Sequence, residues 1–157
     1  MNIVLARIDD RLIHGQVATI WSKYTKCQRI IVCNDDVTKD SIRKTLLEQA
    51  TPPGIKSSVV GIDEAIRVYN NPKYQEDRVL FLFTNPTDVV RMVEGGVAIK
   101  SVNIGGMSFK QGKKQITRVV SVDDTDIKAF KKLNEKGIEL EIRKISSDSK
   151  VDLMSKL

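Results

Sequence analysis

The apolar residues of this chain fall into short continuous runs, set between stretches with helical spacing. Ile3-Val4-Leu5-Ala6 and Ile30-Ile31-Val32-Cys33 are two such runs. Runs of this kind, without strict alternation, mark strands buried on both faces, as in a parallel sheet covered by helices. The pattern predicts strands at Asn2–Ile8, Arg29–Cys33, Lys56–Val60, Val79–Phe83 and Ser101–Ile104, followed by Gln115–Val122 and Glu139–Ile145. Between them it predicts helices at Gly15–Tyr24, Lys39–Ala50, Ile62–Asn70, Pro86–Glu94 and Asp124–Lys136, with a last turn near Lys150–Met154. Thr51-Pro-Pro-Gly54 must break a helix, Asn85-Pro86 sets a cap before a proline at the first helical position, and Gly95-Gly96 and Gly137 end helices. Gln115–Val122 alternates less cleanly and closely follows a turn at Gly112, so it reads as an edge or antiparallel strand. The fold class is α/β, a three-layer α/β/α arrangement with a mostly parallel central sheet. At 157 residues, with no repeat and no persuasive linker, the chain reads as one domain spanning 1–157.

In an open parallel sheet, sites form beyond the carboxyl ends of the strands. The segments leaving those ends are polar here. The first carries Asp9, Asp10, Arg11 and His14; the second Asn34, Asp35 and Asp36; the fourth Thr84 and Asn85; the fifth Gly105 and Gly106. His14 is the only histidine of the chain and falls in the turn that leads into a helix. The free N–H groups of that helix start and its dipole favour an anion there. An imidazole with Arg11 three residues before it is suited to accept a phosphoryl group while the arginine holds its oxygens. The alternative is a histidine that caps the turn or packs against the helix. Asp9 and Asp10 either orient the imidazole or bond the turn backbone. Asp35, Asp36 and Asn85 read as helix caps. Gly105-Gly106 supplies either a left-handed turn or a close approach of backbone N–H groups to phosphate. Arg7 lies on the first strand with its head expected at the rim, paired with a carboxylate.

Composition narrows the chemistry. Cys27 and Cys33 match no zinc spacing, and the lone histidine leaves no metal set, so neither a metal nor a cofactor is expected. With no secretory signal and no apolar run of membrane-spanning length, the chain reads as a reduced cytoplasmic protein. The net charge is +6, from 26 basic and 20 acidic residues. Part of the excess lies in Lys110-Gln-Gly-Lys113-Lys114 and Lys128-Ala-Phe-Lys131-Lys132, which could steer an acidic or phosphorylated partner or an anionic membrane surface. Aromatics make up 5% and do not alternate with the basic residues, which argues against nucleic acid. A Gly-rich dinucleotide turn, a phosphate loop and a serine nucleophile elbow are all missing.

The stretch Arg7-Ile-Asp-Asp-Arg-Leu-Ile-His-Gly-Gln-Val17 closely resembles the phosphohistidine segment of IIB components of the sugar phosphotransferase system, mannose/fructose/sorbose type. The resemblance continues through Asn34-Asp-Asp-Val37, Ala50-Thr-Pro-Pro-Gly54, Asn85-Pro86, Glu94-Gly-Gly-Val97, Asn103-Ile-Gly-Gly-Met107 and Gly137-Ile-Glu-Leu140. It covers nearly the whole chain. One departure is Ile145-Ser-Ser-Asp148, where the family usually has a proline. The resemblance implies that a phosphorylated IIA component passes its phosphoryl group to His14. His14 then passes it to a sugar arriving through the membrane components IIC and IID. It further implies Arg11 and the Gly15/Gln16 turn as phosphate stabilisers, Asp10 as an orienting or charge-balancing partner, a homodimer, and a place at the inner face of the plasma membrane. Lys113–Ile116, Val119–Val122 and Val151–Leu153 look most like the N-acetylgalactosamine branch, with mannose, fructose and sorbose open. The reading from a different class is a non-catalytic module whose rim binds a sugar phosphate or another anion.

Overall fold

The computed structural model describes residues 1–157. Nine strands are β1 (Asn2–Asp9), β2 (Arg29–Cys33), β3 (Lys56–Val60), β4 (Arg78–Phe83), β5 (Ser101–Gly106), β6 (Lys114–Gln115), β7 (Ser121–Val122), β8 (Glu139–Ile142) and β9 (Val151–Asp152). Five α-helices are α1 (Gly15–Thr25), α2 (Ser41–Gln49), α3 (Ile62–Asn70), α4 (Pro86–Glu94) and α5 (Asp124–Glu135). Seven strands form one sheet in the order β3-β2-β4-β1-β5-β8-β9. All its pairings are parallel except β8 with β9. The expected three-layer α/β/α arrangement is the one observed.

Strand periodicity builds the layers. On β4, Leu80 and Leu82 point to one face, while Val79, Phe81 and Phe83 point to the other. The first face packs with Trp21 of α1 and Leu47 of α2. The second packs with Ala65 of α3, Val89 and Met92 of α4, and Phe130 and Leu133 of α5. Each Val, Leu, Met or Phe among them, once sealed from water, contributes about 1.5–3 kcal/mol. Helix starts follow local chemistry. Asn85 accepts from the Asp88 N–H ahead of Pro86, and Asp123 forms a capping box with Asp126 at the head of α5.

Several boundaries differ from the sequence reading. The predicted helix Lys39–Ala50 opens with a separate 3-10 turn, Val37–Lys39, because the Asp40 side chain caps a new start at Ser41. Gln115–Val122 is not one strand. Thr117 Oγ1 accepts from the Val119 and Val120 N–H groups and folds the segment into a tight turn, leaving the short antiparallel pair β6 and β7. Glu139–Ile145 stops as a strand at Ile142, and the chain turns away to bring Val151 back against it as β9. The last turn falls at Leu153–Lys156, after that edge strand, and buries Leu153. Cys33 is a fully buried core residue, as expected, and Cys27 is buried too. No helix is long and apolar enough to cross a membrane.

Because β1, β2, β3, β4, β5 and β8 run the same way, their carboxyl ends share one rim. That rim gathers the polar segments singled out in the sequence.

Candidate functional site

The loop between β1 and α1 is held from below by apolar anchors. Leu12 and Ile13, each 3% exposed, sit in the core under α1. Leu12 adopts a left-handed φ of 61°, and Gly15 follows at 46°. The first costs on the order of 1 kcal/mol for a side chain with a Cβ, and burial of Leu12 offsets it. The two reversals place His14 at the N-cap of α1 with extended backbone and leave its side chain partly exposed at the rim. The N–H groups of Gly15, Gln16 and Val17 open the helix and donate to no other residue, so they are available to an anion beside the imidazole.

His14 Nε2 lies 3.2 Å from Asp9 Oδ2. Asp9 is fully buried and is the hub of the site. It accepts from Arg7 Nη2 at 3.0 Å, from the Arg11 backbone N–H at 3.1 Å and from Arg11 Nε at 3.2 Å. Burial by itself would raise its pKa. The neighbouring Arg7 charge and the bonds from Arg11 and His14 outweigh burial and hold the carboxyl below the ordinary carboxylate value. Arg7 is itself buried, which lowers its pKa, while Asp9 opposes that shift.

Arg7 was expected at the rim; it is instead sealed beneath it. Its guanidinium bonds Asn103 Oδ1 and donates to the carbonyls of Arg143 and Lys144, each at 3.1 Å. It also stacks over Trp21, 5.2 Å from the ring centroid. Gly105 explains how it fits: a Cβ there would overlap the guanidinium. Gly105 and Gly106 therefore form no left-handed turn. They are strand residues that make room for Arg7 and, at Gly106, for Arg11.

Of the two adjacent carboxylates, Asp9 meets His14, and Asp10, expected as the orienting partner, does not. Asp10 accepts from the Ser108 N–H at 2.7 Å and the Ser108 hydroxyl at 3.0 Å, tying the first loop to the one after β5. The strand periodicity decides between them: Asp9 ends β1 pointing inward to Arg7, and Asp10 starts the turn. Arg11 stays half exposed with its guanidinium end on the His14 side of Asp9. Gln16 is exposed in the first turn of α1.

Other rim side chains bond the scaffold rather than His14. Asn34 Oδ1 accepts from the Asp36 and Val37 N–H groups, while its amide donates to Thr84. Asp35 caps the distant α3 through the Ile62 N–H and pairs with Arg91 at 2.7 Å. Asp36 makes no side-chain cap. Lys113 is not the free surface charge its lysine-rich stretch suggested, since its ammonium is held 3.1 Å from Asp126 at the head of α5. Ser108, Asn103 and Trp21 were not singled out for the site. Their roles depend on contacts distant in sequence and carry no local signal.

Residues 3–157 match the family described as "PTS system sorbose subfamily IIB component". The mannose-specific EIIAB component of Escherichia coli (strain K12) is 63% identical over 160 residues, which cover 100% of this chain and 50% of that protein. The chain thus spans about half the length of the mannose-specific relatives it matches. The sorbose-specific EIIB component of Klebsiella pneumoniae is 55% identical over 157 residues, covering 100% of this chain and 96% of that one. The crystal structure of the IIBSor domain of the Klebsiella pneumoniae sorbose permease superposes with a TM-score of 0.98 at 55% identity, covering 99% of this chain and 96% of that one. These figures correct the N-acetylgalactosamine resemblance: an Escherichia coli IIB component specific for that sugar is only 37% identical over 158 residues. The segments behind that resemblance fold as the β6–β7 hairpin and the β9 edge. There, strand pairing and burial of Val120, Val122 and Leu153 restrict residue choice whatever the sugar.

Proposed function

The chain belongs to the sorbose subfamily of phosphotransferase-system IIB components, and from this we propose that it accepts a phosphoryl group on His14 and passes it to a sugar. The observation that carries the reading is the divided use of the imidazole. Nε2 stands 3.2 Å from Asp9, a carboxylate held ionised that can only accept, so we place the ring proton on Nε2, which leaves the Nδ1 lone pair free to attack phosphorus.

In the first step the P–N bond of the donor breaks as the P–Nδ1 bond forms. Attack by the neutral ring leaves the phosphorylated imidazole positive, and the Asp9 carboxylate beside Nε2–H offsets that charge. Arg11 and the free N–H groups of Gly15 and Gln16 take the phosphoryl oxygens. In the onward step the sugar oxygen forms the new P–O bond and releases its proton to solvent water. The P–Nδ1 electron pair returns to nitrogen, and a neutral imidazole leaves. Asp10 acts at a distance, by fixing the loop through Ser108.

The donor is a phosphorylated IIA component, and the sugar arrives through membrane partners IIC and IID at the inner face of the plasma membrane. The working form is a homodimer. Mannose is the sugar to test first, because the relative with 63% identity carries it in its name. The test is phosphorylation of labelled mannose by membranes containing IIC and IID, supplied with phosphorylated IIA. Sugar phosphate should appear only when this chain is added and not with His14→Ala. Equal product with His14→Ala would overturn the assignment of His14.

A further inference from the structure

The loop after β8 is fastened with more buried donors than a surface connection requires. Two successive carbonyls, those of Arg143 and Lys144, receive four hydrogen bonds: two from Arg7, one from Asn103 and one from the Trp21 indole. The consequence is a fixed backbone at Lys144, whose side chain stands in solvent and makes no ion pair. Arg118, at the tip of the β6–β7 hairpin, also lacks a carboxylate partner. Lys144, Arg118 and Arg11 line one cavity of about 360 Å³ beside the first loop.

Three cations in one cleft, two of them unpaired, outnumber the one carboxylate of the lining, Asp10, whose oxygens are taken by Ser108, and leave a positive field for a dianion. The rest of the lining is not that of a bare phosphate hole. Gln115 and Ser121, opposite one another in the hairpin, add an amide and a hydroxyl, and Phe109 supplies an exposed aromatic wall. An amide and a hydroxyl suit sugar hydroxyls, and an aromatic face suits the C–H face of a ring. The volume lies at the small end of ligand pockets, enough for one ring. We propose that this cavity binds a sugar phosphate monoester, the product class of the reaction. Arg118 and Lys144 hold the phosphate, and the hairpin reads the ring. This inference rests on the proposed reaction for the source of its ligand. Because Arg11 is shared between the cavity and His14, an ester seated there withdraws Arg11 from the incoming phosphoryl group, so accumulated product slows its own formation.

The experiment is a calorimetric titration of the unphosphorylated chain with mannose 6-phosphate, inorganic phosphate and mannose, at fixed ionic strength. Trp21 is the only tryptophan and bonds the Lys144 carbonyl, so its fluorescence reports whether the same loop responds. Expected are saturable binding of the ester, weaker binding of inorganic phosphate, and none of mannose. Arg118→Gln and Lys144→Gln should each weaken the ester at least about tenfold, since each removes a charge-assisted bond. Uptake of a phosphoryl group by His14, read by mass, should persist in both variants. No saturable binding, equal binding of phosphate and ester, or affinity unchanged in both variants would overturn the proposal. Ester binding in a chain that takes up no phosphoryl group would keep the site and remove the reaction reading; the converse would remove only the site.

Discussion

The Arg7 guanidinium lies 3.0 Å from the Asp9 carboxylate, and the two side chains are 2% and 0% exposed. The same carboxylate oxygen stands 3.2 Å from His14 Nε2. A buried pair therefore sets both the tilt of the imidazole and the nitrogen that faces outward. Desolvating two charges is costly. Here the cost is offset by mutual attraction and by the carbonyls and amide that complete the Arg7 shell.

Removing one partner strands the other. Asp9→Ala leaves Arg7 buried without a counter-charge and should lower stability by about 3–5 kcal/mol. The measurement is urea unfolding at neutral pH. A loss below about 1 kcal/mol would mean that the pair behaves as a surface bridge.

The acid limb of stability follows from the same group. Asp9 is held below the ordinary carboxylate value, so the folded chain binds its proton later than the unfolded chain as pH falls. Its contribution is complete above the unfolded carboxylate pKa, about 4, and is lost as pH drops through the folded value. Asp35 and Asp123 are shifted the same way and share the trend. Unfolding titrations from pH 7 to pH 3 on the wild type and Asp9→Asn should give a shallower acid slope for the variant. Parallel slopes would remove Asp9 from this role.

Gly105→Ala tests how Arg7 is accommodated. The added methyl overlaps the guanidinium, so it should cost about 1–3 kcal/mol and slow phosphoryl uptake, although residue 105 never meets the phosphate. Gly106→Ala, whose Cβ would stand 3.3 Å from Arg11 Nη2, should be milder in stability. Combined unfolding and uptake assays separate the two variants. A neutral Gly105→Ala would contradict the packing described.

Arg11→Ala should reduce phosphoryl uptake by orders of magnitude, the scale of losing a dedicated transition-state donor. Its stability should change by no more than about 1 kcal/mol, because the side chain is half exposed. Single-turnover transfer from phosphorylated IIA checks the first expectation and unfolding checks the second. Normal transfer would pass the role to the helix N–H groups.

Much of this was legible in the chain. Continuous runs such as Ile30–Cys33 announce strands buried on both faces, and the motif from Arg7 to Val17 announces a histidine at a helix start. The choice between Asp9 and Asp10 was not legible. It depends on where Arg7 lies, and that depends on Gly105 and on carbonyls 136 and 137 residues away. The β6–β7 hairpin was hidden for a different reason. Its strands are two residues each, too short for periodicity to register, and a threonine side chain, rather than glycine or proline, makes its turn.

Whether His14 carries the phosphoryl group is decided by intact-mass analysis. The chain is incubated with phosphoenolpyruvate, enzyme I, the general phosphocarrier and a IIA component, then weighed before and after mild acid. The expected result is a gain of one phosphoryl group that acid removes, that base leaves in place, and that His14→Ala never acquires. A chain that stays at its original mass beside a fully phosphorylated IIA, or a His14→Ala variant that gains the group, would contradict it.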